Sequence, residues 1–218
     1  MQGKDFLSIS DISSDEIHAL ISDAIHIKSK RNRYHIGNKT LALLFEKASL
    51  RTRVSFELAI RQLGGNAVYL SPAEVGLGKR EAISDIAQVL NRYVDVIAAR
   101  TFSHRSLDIL SSYTRIPVIN ALSDREHPCQ ALADLLTVFE KKATLKGLTM
   151  AYIGDGNNVA HSLMLAASIT GINFRIASPA NYRVSSDILN RARGYSLDND
   201  SDILCTEDPV ESATGADV

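Results

Sequence analysis

Short apolar runs, each separated from the next by a segment of helical periodicity, constrain this chain more than any other feature. They are TLALLF at 40–45, AVYLS at 67–71, DVIAAR at 95–100, IPVINAL at 116–122, LTMAYIG at 148–154, INFRIAS at 172–178 and DILCT at 202–206. Most are continuous rather than alternating, which suits strands buried on both faces. Helical segments are read over 17–24, behind a capping box of Ser13 and Glu16, and over 52–63, ended by Gly64-Gly65. Others lie at 81–92, over SLDILSSY, at 128–142 with Pro128 in first position, from about 158 to 169, and at 187–193. PAEVGLGKR, 72–80, reads as a loop. Strand and helix in alternation predict an α/β fold of parallel sheets with helices on both faces. The polar stretch EKKATLKG, 140–147, marks a boundary between a first domain, 1–143, and a second, 144–218. GADV at the end reads as the start of one more strand.

Ligands of such sheets lie beyond the carboxyl ends of the strands, and that is where the unusual polar residues fall. Ser49-Leu50-Arg51-Thr52-Arg53 follows the first run, Arg100 ends the third, His127-Pro128-Cys129-Gln130 follows the fourth, and Asp155 to Asn158 follows the fifth. SLRTR at a helix start can cradle a phosphate, with unpaired amides, two hydroxyls and the planar fork of Arg51. It can equally be a capped helix with solvated arginines. Arg100 alone would be a solvated strand end, and His127 alone a helix cap. Together, two guanidiniums, an imidazole and the Gln130 amide can converge on a small, oxygen-rich anion. GDGNN, 154–158, lacks the third glycine of a dinucleotide fingerprint, Val159 standing in its place. Its asparagines can cap the helix or bind a polar ligand such as an amino acid.

With 24 basic against 25 acidic residues the net charge is −1, so nothing favours nucleic acid and any anion site must be local. No CxxC pair or metal-ligand spacing implies a metal. No secretory pattern opens the chain and no run reaches the length of a membrane span, which fits a cytoplasmic protein.

FEKASLRTRVSFELA, Arg100 in AARTFSH, HPCQALADLL and YIGDGNNVAHSL, in this order, resemble the aspartate/ornithine carbamoyltransferase superfamily from about residue 5 to 218. DGNN is similar to the ornithine carbamoyltransferases rather than the aspartate branch. The resemblance implies a carbamoyl-phosphate-binding domain followed by a Rossmann-like ornithine-binding domain. Carbamoyl phosphate would be held by Ser49, Leu50 through its backbone, Arg51, Thr52, Arg100, His127 and Gln130, the last on the carbamoyl amino group. Arg51, Thr52, Arg100 and His127 would be the catalytic residues, Asn158 would contact ornithine, Asn157 would be structural, and Arg53 would orient the loop. No cofactor is implied, and a homotrimer is.

Three departures from the family pattern stand out. Leu50 replaces a threonine. Gly76 replaces a glutamine that reaches a neighbouring subunit's site, with Lys79 or Arg80 as candidates for that contact. The family's chains run on past position 218 into segments that complete the ornithine site, so weak or no turnover is expected of these residues alone. A non-catalytic carbamoyl-phosphate-binding or subunit-interaction fragment is the alternative. So is a carbamoyltransferase acting on putrescine, acylated ornithine or aspartate.

Overall fold

The computed structural model describes residues 3–29, 34–78 and 80–218. Lys79 lies outside the described residues. The elements run α1 (Ser14–Lys28), β1 (Thr40–Phe45), α2 (Leu50–Gln62), β2 (Asn66–Leu70), α3 (Pro72–Val75), α4 (Ile83–Tyr93), β3 (Val96–Arg100), α5 (His104–Tyr113) and β4 (Val118–Leu122). They continue as α6 (Pro128–Lys142), β5 (Thr149–Ile153), α7 (Asn158–Thr170), β6 (Asn173–Ala177), α8 (Ser186–Asp198), β7 (Ile203–Thr206) and α9 (Pro209–Ala213). By packing, the chain forms two compact units, one of Met1–Leu7 with Ile25–Asp124, the other of Ser8–Ala24 with Arg125–Val218.

The first unit holds a parallel sheet in the order β2-β1-β3-β4. Side chains alternate across a strand, and β1 divides accordingly. Leu41, Leu43 and Phe45 pack with Phe56 and Ile60 of α2, while Ala42 and Leu44 pack with Ile86, Ala87, Leu107 and Leu110 of α4 and α5. Each such leucine, removed from water, contributes about 2 kcal/mol. This explains why TLALLF is apolar throughout. The free edge of β4 is covered by Phe6, which donates to Val118 O (2.8 Å) and accepts from the Asn120 amide (2.8 Å).

The second unit holds a parallel sheet in the order β5-β6-β7. Every residue of α7 from Ala160 to Thr170 is buried, as expected of a helix packed on all sides. It lies against α6, α8, β6 and the 3-10 turn Ile9–Asp11. Its buried hydroxyls are satisfied locally, Ser168 Oγ on Met164 O (2.8 Å) and Thr170 Oγ1 on Ala166 O (2.7 Å). Helix α6, read in sequence as the end of the first domain, packs on α7 within this unit, to which residues 8–24 also belong.

Three local differences from the sequence reading have physical causes. The loop read at 72–80 begins with a helical turn, α3, because Ser71 and Glu74 form a capping box around Pro72. The helix read at 187–193 extends to Asp198, since Ile188, Ala192 and Ser196 keep one face buried. Asp208 caps α9 by accepting from the Val210 amide (2.8 Å), a short element with no apolar periodicity to announce it. The capping box of α1 forms as read, with Ser13 N–H on Glu16 (3.1 Å) and Glu16 N–H on Ser13 Oγ (3.2 Å).

Candidate functional site

The first sheet reverses its winding at β1. The chain leaves β1 for β2 on one side and later enters β3 on the other. Such a reversal opens a crevice beyond the carboxyl ends of the two central strands. Ser49–Thr52 follow β1, and Arg100 ends β3 as the register partner of Phe45. Glu46 ties the two strand ends together, its N–H donating to Arg100 O (2.8 Å) and its carboxylate accepting from the Phe102 amide (2.8 Å).

Helix α2 starts two residues earlier than its apolar pattern predicts, so Ser49 is its N-cap residue and Arg51 and Thr52 lie in the first turn. The Ser49 hydroxyl caps no amide. It donates instead to Thr52 Oγ1 (2.9 Å), which also accepts from Arg100 Nη1 (3.3 Å). The first-turn amides therefore lack a side-chain cap and stand as anion donors. Leu50 is 79% exposed, so its side chain adds no contact there. Arg51 is exposed and its guanidinium has no partner among the described residues. Arg53 is spent elsewhere, stacked 3.8 Å over the Tyr69 ring and 3.6 Å from Glu57.

Arg100 is the sharpest feature. Its Nε is buried without a hydrogen-bond partner among the described residues, and burial pulls the guanidinium below its ordinary pKa. An arginine stays charged regardless, and a buried cationic donor left unpaired is costly. Arg100 is thus held in a state that an incoming anion relieves.

In the second unit, the hydrogen bonds Asp217 N–H to Thr149 O (2.8 Å) and Ala151 N–H to Val218 O (2.9 Å) place residues 217–218 on the free edge of β5. Winding therefore reverses at β5 as well, and Asp155–Asn158 lie at that mouth. Asn157 caps α7 by accepting from Val159 N–H (2.9 Å) and Ala160 N–H (3.2 Å), a structural role. Asn158 is the first residue of α7. Gly156 is required by close approach, because a Cβ there would lie 2.2 Å from Val184 N. Its glycine is thus explained without a pyrophosphate.

His127 is the N-cap residue of α6, half-buried, with its N–H donating to Ser162 Oγ (2.9 Å). Gln130 Nε2 donates to Asp134 Oδ1 (2.8 Å), which leaves its Oε1 as the acceptor an amino group needs. Burial raises the Asp134 carboxyl, opposed by that bond. Burial also pushes the Cys129 thiol up to about 12, which removes it as a nucleophile at neutral pH.

The structure thus joins Ser49, Thr52 and Arg100 by hydrogen bonds and sets Arg51 in the same helical turn, while His127, Gln130 and Asn158 belong to the second unit. Sequence reasoning missed Glu46, Glu126 and Ser162. Their partners Phe102, Ile9 and Glu126 lie 56, 117 and 36 positions away, beyond any short motif.

Residues 4–140 match the family model for the aspartate/ornithine carbamoyltransferase carbamoyl-P binding domain, and residues 146–218 match that for the Asp/Orn binding domain. The chain is 48% identical to the ornithine carbamoyltransferase of Bacillus subtilis (strain 168), covering all of this chain and 68% of that protein. It is 46% identical to a relative from Thermoplasma volcanium named as a catabolic ornithine carbamoyltransferase, 72% of which it covers. Among solved structures, ornithine carbamoyltransferase from Pyrococcus furiosus superposes with a TM-score of 0.95 at 42% identity, over 99% of this chain and 70% of that one.

Proposed function

The chain belongs to the aspartate/ornithine carbamoyltransferase family, and from that premise we propose that it transfers the carbamoyl group of carbamoyl phosphate to the δ-amine of L-ornithine, giving L-citrulline and phosphate. Residues 1–143 are the carbamoyl-phosphate domain in this reading, and 144–218 the first part of the ornithine domain. The observation that carries it is the buried, unpartnered Nε of Arg100 in a group hydrogen-bonded to Thr52 at the uncapped start of α2.

Ser49, the Leu50 amide, Arg51 and Thr52 hold the phosphate. The neutral δ-amine attacks the carbamoyl carbon, and negative charge gathers on the carbonyl oxygen. Thr52, Arg100 and His127 donate to that oxygen, each such donor being worth about 10²–10³ in turnover. Gln130 accepts from the carbamoyl amino group, and Asn158 takes the amino-acid end of ornithine. The departing phosphate takes the proton of the attacking amine, so no separate base is required. The protein acts in arginine metabolism, in the cytoplasm, as a homotrimer. No described helix is long and apolar enough to cross a membrane.

The chain spans 68% to 72% of the length of these curated relatives. A polypeptide of these 218 residues is therefore expected to bind carbamoyl phosphate while forming citrulline slowly or not at all. Calorimetry with carbamoyl phosphate, paired with a colorimetric citrulline assay, tests both halves. Absence of binding overturns the site. Turnover matching the Bacillus relative overturns the expectation of weak activity. Putrescine, acylated ornithine and aspartate offered in competition decide the acceptor.

A further inference from the structure

We propose that Glu126, acting through Ser162, is a positioning residue for His127. Glu126 is fully buried, as is Ser162. Glu126 Oε2 accepts from the Ile9 amide (3.0 Å) and from Ser162 Oγ (3.2 Å), and Ser162 Oγ accepts in turn from the His127 amide (2.9 Å). The result is one directed chain, His127 N–H to Ser162 O–H to Glu126 carboxylate, closed on its far side by the first amide of the Ile9–Asp11 turn.

The same α7 turn grips the preceding residue. His161 Nδ1 donates to Arg125 O (2.8 Å), and the Arg125 guanidinium pairs with Asp187 of α8. Residues 125–127 are thus held at a carbonyl, a side chain and an amide in succession. His127 needs such support. It sits at φ −131° and ψ 68°, outside the helical region, with no side-chain cap bond to its own helix. Its carbonyl is held from α6, by the Gln130 (3.1 Å) and Ala131 (3.2 Å) amides, and its amide is held from α7, by Ser162. A buried carboxylate also suits this place electrostatically. It lies two residues before the first residue of α6, at that helix's partial positive end, and accepts from the first amide of the Ile9–Asp11 turn.

This inference rests on His127 acting on the carbamoyl group, and its test separates the two claims. Carbamoyl phosphate and inorganic phosphate are titrated by calorimetry into wild type, Ser162→Ala, Glu126→Gln and Glu126→Val, with thermal unfolding confirming that each folds. Hydrogen exchange of the His127 amide is read in parallel. Ser162→Ala is expected to weaken carbamoyl phosphate about 10-fold and leave inorganic phosphate within about twofold, because the phosphate cradle is built from Ser49–Thr52. Exchange of the His127 amide should rise about 10-fold in the same variant. Glu126→Gln keeps an acceptor oxygen and should stay within about threefold of wild type, while Glu126→Val should behave as Ser162→Ala does. Equal losses for both ligands, or unchanged carbamoyl phosphate binding in Ser162→Ala, would overturn the proposal. If wild type itself binds neither ligand, the carbamoyl reading falls, and unchanged His127 exchange in Ser162→Ala still refutes the positioning role.

Discussion

The two places where winding reverses, at β1 in the first unit and at β5 in the second, share a topology and differ in chemistry. At β1 the polar groups are left wanting. The start of α2 has no side-chain cap, Arg51 has no partner among the described residues, and Arg100 keeps a buried N–H unused. At β5 the chain satisfies itself. Asn157 caps α7, Gly156 N–H donates to Tyr182 O (2.6 Å), Ser178 Oγ donates to Gly154 O (2.6 Å), and Asn158 too has a partner. Residue types alone would rank GDGNN beside SLRTR. Hydrogen-bond accounting separates them, because a buried donor left unpaired is rare and calls for an explanation, of which an incoming ligand is one. Substitutions at the β5 mouth should therefore register first in stability, and substitutions at the β1 mouth first in ligand affinity.

The largest effect is expected from Gly156→Ala. A Cβ at this position would lie 2.2 Å from Val184 N and 2.5 Å from Arg183 C, both backbone atoms that cannot swing aside. Overpacking against backbone costs about 3 kcal/mol, enough to lower the unfolding midpoint by several degrees. Thermal denaturation checks it. A midpoint equal to wild type would mean that the glycine is there for a ligand after all, and the contrast between the two mouths would collapse.

Arg51→Ala should do the reverse. Its side chain is exposed and has no hydrogen bond or ion pair among the described residues, so stability should stay within about 0.5 kcal/mol. Carbamoyl phosphate affinity should fall about 100-fold, the scale of losing a two-pronged charged contact. Calorimetry and thermal denaturation on one preparation measure both numbers. Unchanged affinity would remove SLRTR from the anion site.

Legibility in the sequence follows the same division. Continuous apolar runs announced the strands, because strands buried on both faces must be apolar on both faces. Pro128 and the Ser13–Glu16 box set helix starts at Pro128 and Ser14. What the sequence hid depends on distant partners. Arg100 reads as a solvated strand end until its register with Phe45 sets it beside the start of α2. Glu126 reads as an ordinary charged residue before a helix, and Ile9 and Ser162, 117 and 36 positions away, show why it is buried. The placement of α6 is of this kind too, since its face is apolar whichever unit it joins. Motifs state which groups are present, and long-range packing decides which of them remain free.

The smallest effect sharpens the contrast most. Asn157→Ala removes the side chain that accepts from the Val159 and Ala160 amides at the start of α7. Loss of an N-cap costs about 1 kcal/mol. Ser49, the N-cap residue at the other mouth, caps nothing, so Ser49→Ala should cost its helix less than that. The paired variants run opposite on affinity. Ser49→Ala should weaken carbamoyl phosphate about 10-fold through the lost hydroxyl and its hold on Thr52, whereas Asn157→Ala should leave carbamoyl phosphate unchanged. The two asparagines of the β5 mouth would then divide the work, Asn157 for the helix and Asn158 for the acceptor. A drop in carbamoyl phosphate affinity in Asn157→Ala, at constant stability, would show that the second mouth reaches the donor substrate and that capping is not what this asparagine is for.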